Sequence, residues 1–200
     1  MNLGLVVRPC NPRHPSPDLS SVSGSAPVFR VSRRVMKTSP SSKPNRKRKS
    51  WREKLADDKG LPQTGRIEGR MTHRWGTGTM VIPAPREVDA LMKKVPRGRL
   101  TTINELRAAL ARRHRVDIAC PITTGIFAWI AAHAAGEDAA DGRKRITPYW
   151  RTLKVGGELN PKYPGGVAAL VRLLRAEGHR VIRKGRRHLV DGFEAVLFTP

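Results

Sequence analysis

The side chains most able to do chemistry are few and lie close together in the chain. Pro148-Tyr149-Trp150-Arg151 sets two aromatics and a guanidinium in a short run that reads as extended. As a nucleophile Tyr149 would be weak, because a phenol has a pKa of about 10 and no sequence neighbour would lower it. Tyr149 and Trp150 could instead stack on an unstacked base, or pack in a core. Cys120 is the one thiol besides Cys10. A thiolate there could act as a nucleophile, or the residue could be a buried, inert cysteine. Trp75-Gly76-Thr77-Gly78-Thr79 is Gly-rich, but no Lys-Ser/Thr follows it and no strand–loop–helix frame surrounds it. No catalytic residue is assigned, and no metal or cofactor is expected.

Charge indicates the partner. Thirty-nine Lys and Arg against 16 Asp and Glu give a formal charge of +23, with a pI near 11.5. Residues 51–200 alone keep 28 basic residues against 15 acidic ones, so the imbalance is not confined to one end. Such a surface suits a polyanion, above all nucleic acid. Charge by itself fits an RNA- or ribosome-associated protein equally well. Two cysteines make no disulfide framework, which points to a reducing compartment. No apolar run approaches the roughly 18 residues of a membrane span. A cytoplasmic monomer is expected, away from membranes, its protein partners unknown.

The surrounding elements follow from periodicity. Residues 1–50 are rich in Pro, Ser and Arg without sustained pattern and read as a disordered basic tail. Met36 offers a second start that would make residues 1–35 dispensable, and Lys43–Lys49 could hold nucleic acid without sequence preference. Residues 51–84 read as a connecting arm, in which Trp51, Leu55 and Leu61 could make a short amphipathic helix ended by Gly60 or Pro62, followed by irregular or extended chain at Gly65, Gly69, Gly76 and Gly78. Pro85 opens a helix whose Val88, Leu91, Met92 and Val95 share a face, and Pro96-Arg97-Gly98-Arg99 ends it. Thr102-Ile103-Asn104-Glu105 reads as a capping box opening a second helix, with Ile103, Leu106 and Leu110 apolar. A third helix is predicted from Thr123 to Ala135, with small residues around Ile126, Phe127, Trp129 and Ile130. A loop is predicted at residues 136–145. The fourth helix starts near Gly166 and lines up Val167, Leu170, Val171 and Leu174, with Gly178 at its C-terminal cap. Residues 182–200 read as a strand pair around a basic turn and an apolar tail packing on the domain.

Two segments carry a resemblance to a known family. Val95-Pro96-Arg97-Gly98-Arg99-Leu100-Thr101-Thr102 looks like the Val-Pro-x-Gly-x-Val-Thr-Thr-Tyr lead into the helix-turn-helix of alkylguanine-DNA alkyltransferases, the methylated-DNA–protein-cysteine methyltransferases. Pro148-Tyr149-Trp150-Arg151 aligns with that family's Pro-Cys-His-Arg strand, and Tyr163-Pro164-Gly165-Gly166 with its Tyr-x-Gly-Gly helix start. The match covers residues 85–181. It implies a mostly α, winged-helix-like domain with a small β wing, used in DNA binding and DNA repair. Duplex DNA, alkylated or not, would lie against the Thr123–Trp129 helix and the Lys154–Tyr163 wing. The DNA-binding residues so implied are Thr102, Ile103, Thr123, Thr124, Gly125, Ile126, Arg151, Lys154, Lys162 and Tyr163, with Tyr149 and Trp150 as a base pocket.

The signature chemistry of the family is replaced. Tyr149 stands for its acceptor cysteine and Trp150 for the histidine, while Val171 falls where the glutamate would lie. Ile103 replaces the tyrosine after Thr-Thr, and Gly125 the intercalating arginine. Alkyltransferase-like proteins lack the cysteine yet bind alkylated DNA. The resemblance therefore implies a DNA-binding protein without alkyl transfer. A diverged transferase using Cys120 is the enzymatic alternative.

Overall fold

The structure, a computed structural model, describes residues 48–200. All but the last three residues of the tail expected over residues 1–50 lie outside them. Helix α1 (Trp51–Ala56) starts on a true capping box: Ser50 Oγ accepts from the Glu53 N–H, and Glu53 accepts from the Ser50 N–H at 2.6 Å. Strand β1 (Gln63–Arg66), helix α2 (Thr72–Trp75) and strand β2 (Thr79–Ile82) follow, with β1 and β2 antiparallel. The extended alternative for this stretch thus takes the form of paired strands, while the helix before it stops at Ala56, short of Leu61. All four β1 residues are exposed, so no alternation of apolar and polar residues marks the strand.

Helix α3 (Pro85–Lys93) has Pro at its first turn, and Glu87 accepts from the Ala84 N–H at 3.1 Å. Strand β3 (Thr101–Thr102) leads into α4 (Ile103–His114). Thr102 Oγ1 caps α4 by accepting from the Glu105 N–H at 3.3 Å. The return arm of the expected capping box is absent; Glu105 accepts from Thr199 Oγ1 instead. Helix α4 closes on Arg115, in the left-handed region at φ 53°, and β4 (Ile118–Ala119) pairs parallel with β2.

Helix α5 (Pro121–Ala140) is longer at both ends than its sequence suggested, and residues 136–140 are helix instead of loop. The cause is tertiary. The Glu137 carboxylate accepts from the Trp51 and Arg52 N–H groups at 2.9 and 3.0 Å, so α5 also caps α1. Tyr149–Arg151 forms one 3₁₀ turn, not an extended run, before β5 (Thr152–Leu153), which pairs parallel with β3. Residues 154–163 form no hairpin of their own. They hold a 3₁₀ turn at Val155–Gly157 and a single bridge from Glu158 to Leu189.

Helix α6 (Gly166–Ala176) buries Leu170 and Leu174, and Gly178 follows at φ +90°. Strands β6 (Val181–Lys184) and β7 (Arg187–Val190) make an antiparallel hairpin. The C-terminus returns to the centre: Leu100 N–H donates to Val196 O, and Phe198 N–H to Leu100 O at 2.6 Å. Around this frame α3, α4, α5 and α6 share one core of Val88, Met92, Leu106, Leu110, Leu170 and Leu174. The fully buried Ala128, Ala131 and Ala132 of α5 let neighbouring backbones come close. About half of the described residues are helical, with three small sheets, less helix than the mostly α domain expected. None of their helices is long and apolar enough to cross a membrane.

Candidate nucleic-acid interface

Only four large apolar side chains are markedly exposed among the described residues, and two of them, Ile122 and Ile126, sit one turn apart at the start of α5. Large isoleucines left in water need a reason, since burying one stabilises by about 1.5–3 kcal/mol. Gly125 lies between them, and a Cβ built there meets nothing within 4 Å. Its surface is therefore bare helix backbone. Ile103, the first residue of α4, faces the same groove of about 570 Å³. Trp129 continues the α5 wall, and Asn160, Lys154 and Lys162 close the far side.

The two lysines differ. Lys154 Nζ is held by Glu158 at 2.6 Å, whereas Lys162 is exposed and fixed through its backbone. Its carbonyl accepts from the Trp129 indole N–H at 3.1 Å, and His133 Nε2 lies 3.0 Å away. The 154–163 loop is thus tied to α5 at the point where the groove ends. Of the residues expected to touch DNA, the structure brings Ile103, Gly125, Ile126, Lys154 and Lys162 together.

The others hold the frame. Thr102 is buried as the α4 cap. Thr124 is fully buried, its hydroxyl donating to Cys120 O at 2.8 Å. Thr123 is half-buried beside it, with its hydroxyl 3.5 Å from the same carbonyl. Tyr163 is in the core, where burial pushes its hydroxyl pKa up. Arg151 makes a two-pronged pair with Glu177, Nη2 to Oε1 at 2.8 Å and Nε to Oε2 at 2.9 Å, and also donates to Val95 O. That guanidinium is committed inside the fold.

Tyr149 and Trp150 do not line the groove. Tyr149 is buried edge-to-face against both Trp150 and Tyr163, and burial raises its hydroxyl pKa despite Arg172 nearby. Trp150 donates its indole N–H to Glu177 Oε1 at 2.8 Å. The acidic partner of this pair is therefore Glu177; Val171 is a half-buried side chain packed on the core. Burial alone would raise the Glu177 pKa, but hydrogen bonds from Arg151, Trp150 and the Gly98 N–H hold it below the ordinary range. Cys120 is buried with Ile67 and Met80 and does not line the groove.

No protein-family model matches the chain, and no curated protein does. Among solved structures it is similar to S. pombe Atl1, crystallised with damaged DNA containing O6-carboxymethylguanine. The identity is 14% and the TM-score 0.42, over 58% of this chain and 94% of that one.

Sequence reasoning missed Ile122 and Glu177, and within the expected Lys154–Tyr163 wing it did not single out Asn160. Ile122 had a legible signal, because it stands four residues before Ile126 and so on the same helix face. Glu177 had a weaker one, as the sole acid in the basic stretch 159–190.

Proposed function

We propose that this protein binds duplex DNA through the exposed N-terminal face of α5, as a winged-helix-like module that transfers no alkyl group. The observation that carries the reading is the groove itself. Bare backbone at Gly125 permits close approach, exposed Ile122 and Ile126 offer apolar contacts to base edges, and Lys162 is placed for a phosphate. Residues 154–163 serve as the wing, pinned to α5 through Lys162 O. Chemistry is not supported at Tyr149, since a nucleophile needs a lowered pKa and burial here raises it. Reading of an alkylated base belongs, on this view, to the same groove. Ile103, Ile126 and Trp129 give it apolar walls for a displaced base.

Fluorescence anisotropy with one labelled duplex, with and without a central 6-O-methylguanine, tests both parts. Binding to both duplexes at low salt, with intact protein mass unchanged, supports duplex binding without transfer. No duplex binding, tighter binding to structured RNA, or a methyl adduct lost in Cys120→Ser overturns it. A preference for the alkylated duplex that Ile126→Ser removes supports base reading. Equal affinity overturns that part and leaves plain duplex binding standing.

A further inference from the structure

A second groove, of about 830 Å³, lies between α1 and α5 and adjoins the first, since its Trp51 packs against Trp129 of the first with ring centroids 4.6 Å apart. Its floor is apolar: Phe127 and Ile130 from α5, with Leu61 from the chain beyond α1. Its rim is cationic. Arg48 and Lys59 are exposed, and Lys54 Nζ sits 3.8 Å from the Trp51 ring centroid. The one rim carboxylate, Asp57, holds Lys49 at 2.7 Å and also feels the Lys59 charge, which leaves four cations against one acid. The wall is well anchored, because Trp51 packs edge-on against Trp129 and its N–H is taken by Glu137.

We propose that this groove docks an acidic amphipathic segment of a partner protein, apolar side chains on the floor and carboxylates on the rim. Its size falls in the usual range of ligand clefts, and a helix laid in a groove is a common recognition mode. Charge selects among the occupants. The chain's own residues 1–47 hold nine Lys and Arg against one acid, and a second copy brings a formal charge of +23; the rim repels both. A phosphate backbone would satisfy the rim but leave Phe127, Ile130 and Leu61 uncovered. Only a partner both acidic and apolar matches the whole surface. This inference does not depend on the DNA reading, although Trp129 borders both grooves.

The test uses the full chain and a fluorescein-labelled, helix-forming peptide with Glu on one face and Leu at i, i+3, i+4 and i+7 on the other. The peptide should bind, and its Leu→Ser counterpart of equal charge should bind at least tenfold more weakly. Arg48→Glu with Lys59→Glu should weaken the Leu peptide at least tenfold with far-UV circular dichroism unchanged, since both side chains are exposed. Absence of binding, equal affinity for the Leu and Ser peptides, or insensitivity to the two reversals each overturns the proposal.

Discussion

Trp150 and Glu177 are joined by a hydrogen bond, the indole N–H donating to Oε1 at 2.8 Å. The same carboxylate holds Arg151 by two prongs and accepts from the Gly98 N–H at 3.2 Å. One acid therefore ties the 149–151 turn, the end of α6 and the Pro96–Arg99 turn together. Glu177 and Arg151 have side chains only 7% and 14% exposed. Removing one partner of so enclosed a pair leaves a charge without compensation, at a cost of about 3–5 kcal/mol.

Glu177→Gln should accordingly lower the urea midpoint at pH 7 and flatten the acid limb of the stability profile. The folded pKa of Glu177 is depressed. Its contribution is thus complete above the ordinary glutamate value, about 4.3, and is lost as pH falls through the lower folded value. Urea melts from pH 7 downward check this. A variant with the same acid limb as the parent would show that the carboxylate does not stabilise the fold.

Tyr149→Ala should destabilise by about 3–5 kcal/mol, as truncation of a buried aromatic does. It should lower the apparent affinity for alkylated and unmodified duplex alike, by no more than the fraction unfolded. Trp150→Phe keeps the packing but removes the donor to Glu177, and should cost about 1.5–3 kcal/mol. Thermal melts beside paired anisotropy titrations separate the effects. A selective loss for alkylated DNA with an unchanged melting temperature would place these rings in a base pocket.

Lys162→Ala should reduce the slope of log affinity against log salt by about 0.9, one phosphate contact. Lys154→Ala should change it less, because Glu158 holds that ammonium at 2.6 Å. Glu158→Gln should then tighten duplex binding by freeing Lys154. Titrations from 50 to 200 mM salt measure all three. Identical slopes throughout would remove both lysines from the interface.

The faces of α3, α4 and α6 were legible because Val88, Leu91 and Met92, Leu106 and Leu110, and Leu170 and Leu174 repeat at helical spacing and are buried. What the sequence hid depends on partners far along the chain. Residues 136–140 read as loop because they are polar and small, yet Glu137 meets the N–H groups of Trp51 and Arg52, more than eighty positions away. The β1 strand has no apolar face and is defined by its backbone pairing to β2 alone. At the candidate site, side-chain type could not reveal that Thr102, Thr124, Arg151 and Tyr163 turn inward. Each is polar enough to suit DNA, and each finds its place in caps, ion pairs or the core.

Gly125→Glu puts the central claim to the sharpest test. The substituted side chain has open space, since nothing lies within 4 Å of a Cβ there. Replacing an interior helical Gly should leave the fold intact or stabilise it by up to about 1 kcal/mol. The same change places a carboxylate and its bulk on the face assigned to duplex DNA. Anisotropy at constant low salt should show at least a tenfold loss of duplex affinity, with the melting temperature equal to the parent's or higher. Parental affinity in a folded Gly125→Glu protein would contradict the account and move the DNA-binding surface away from α5.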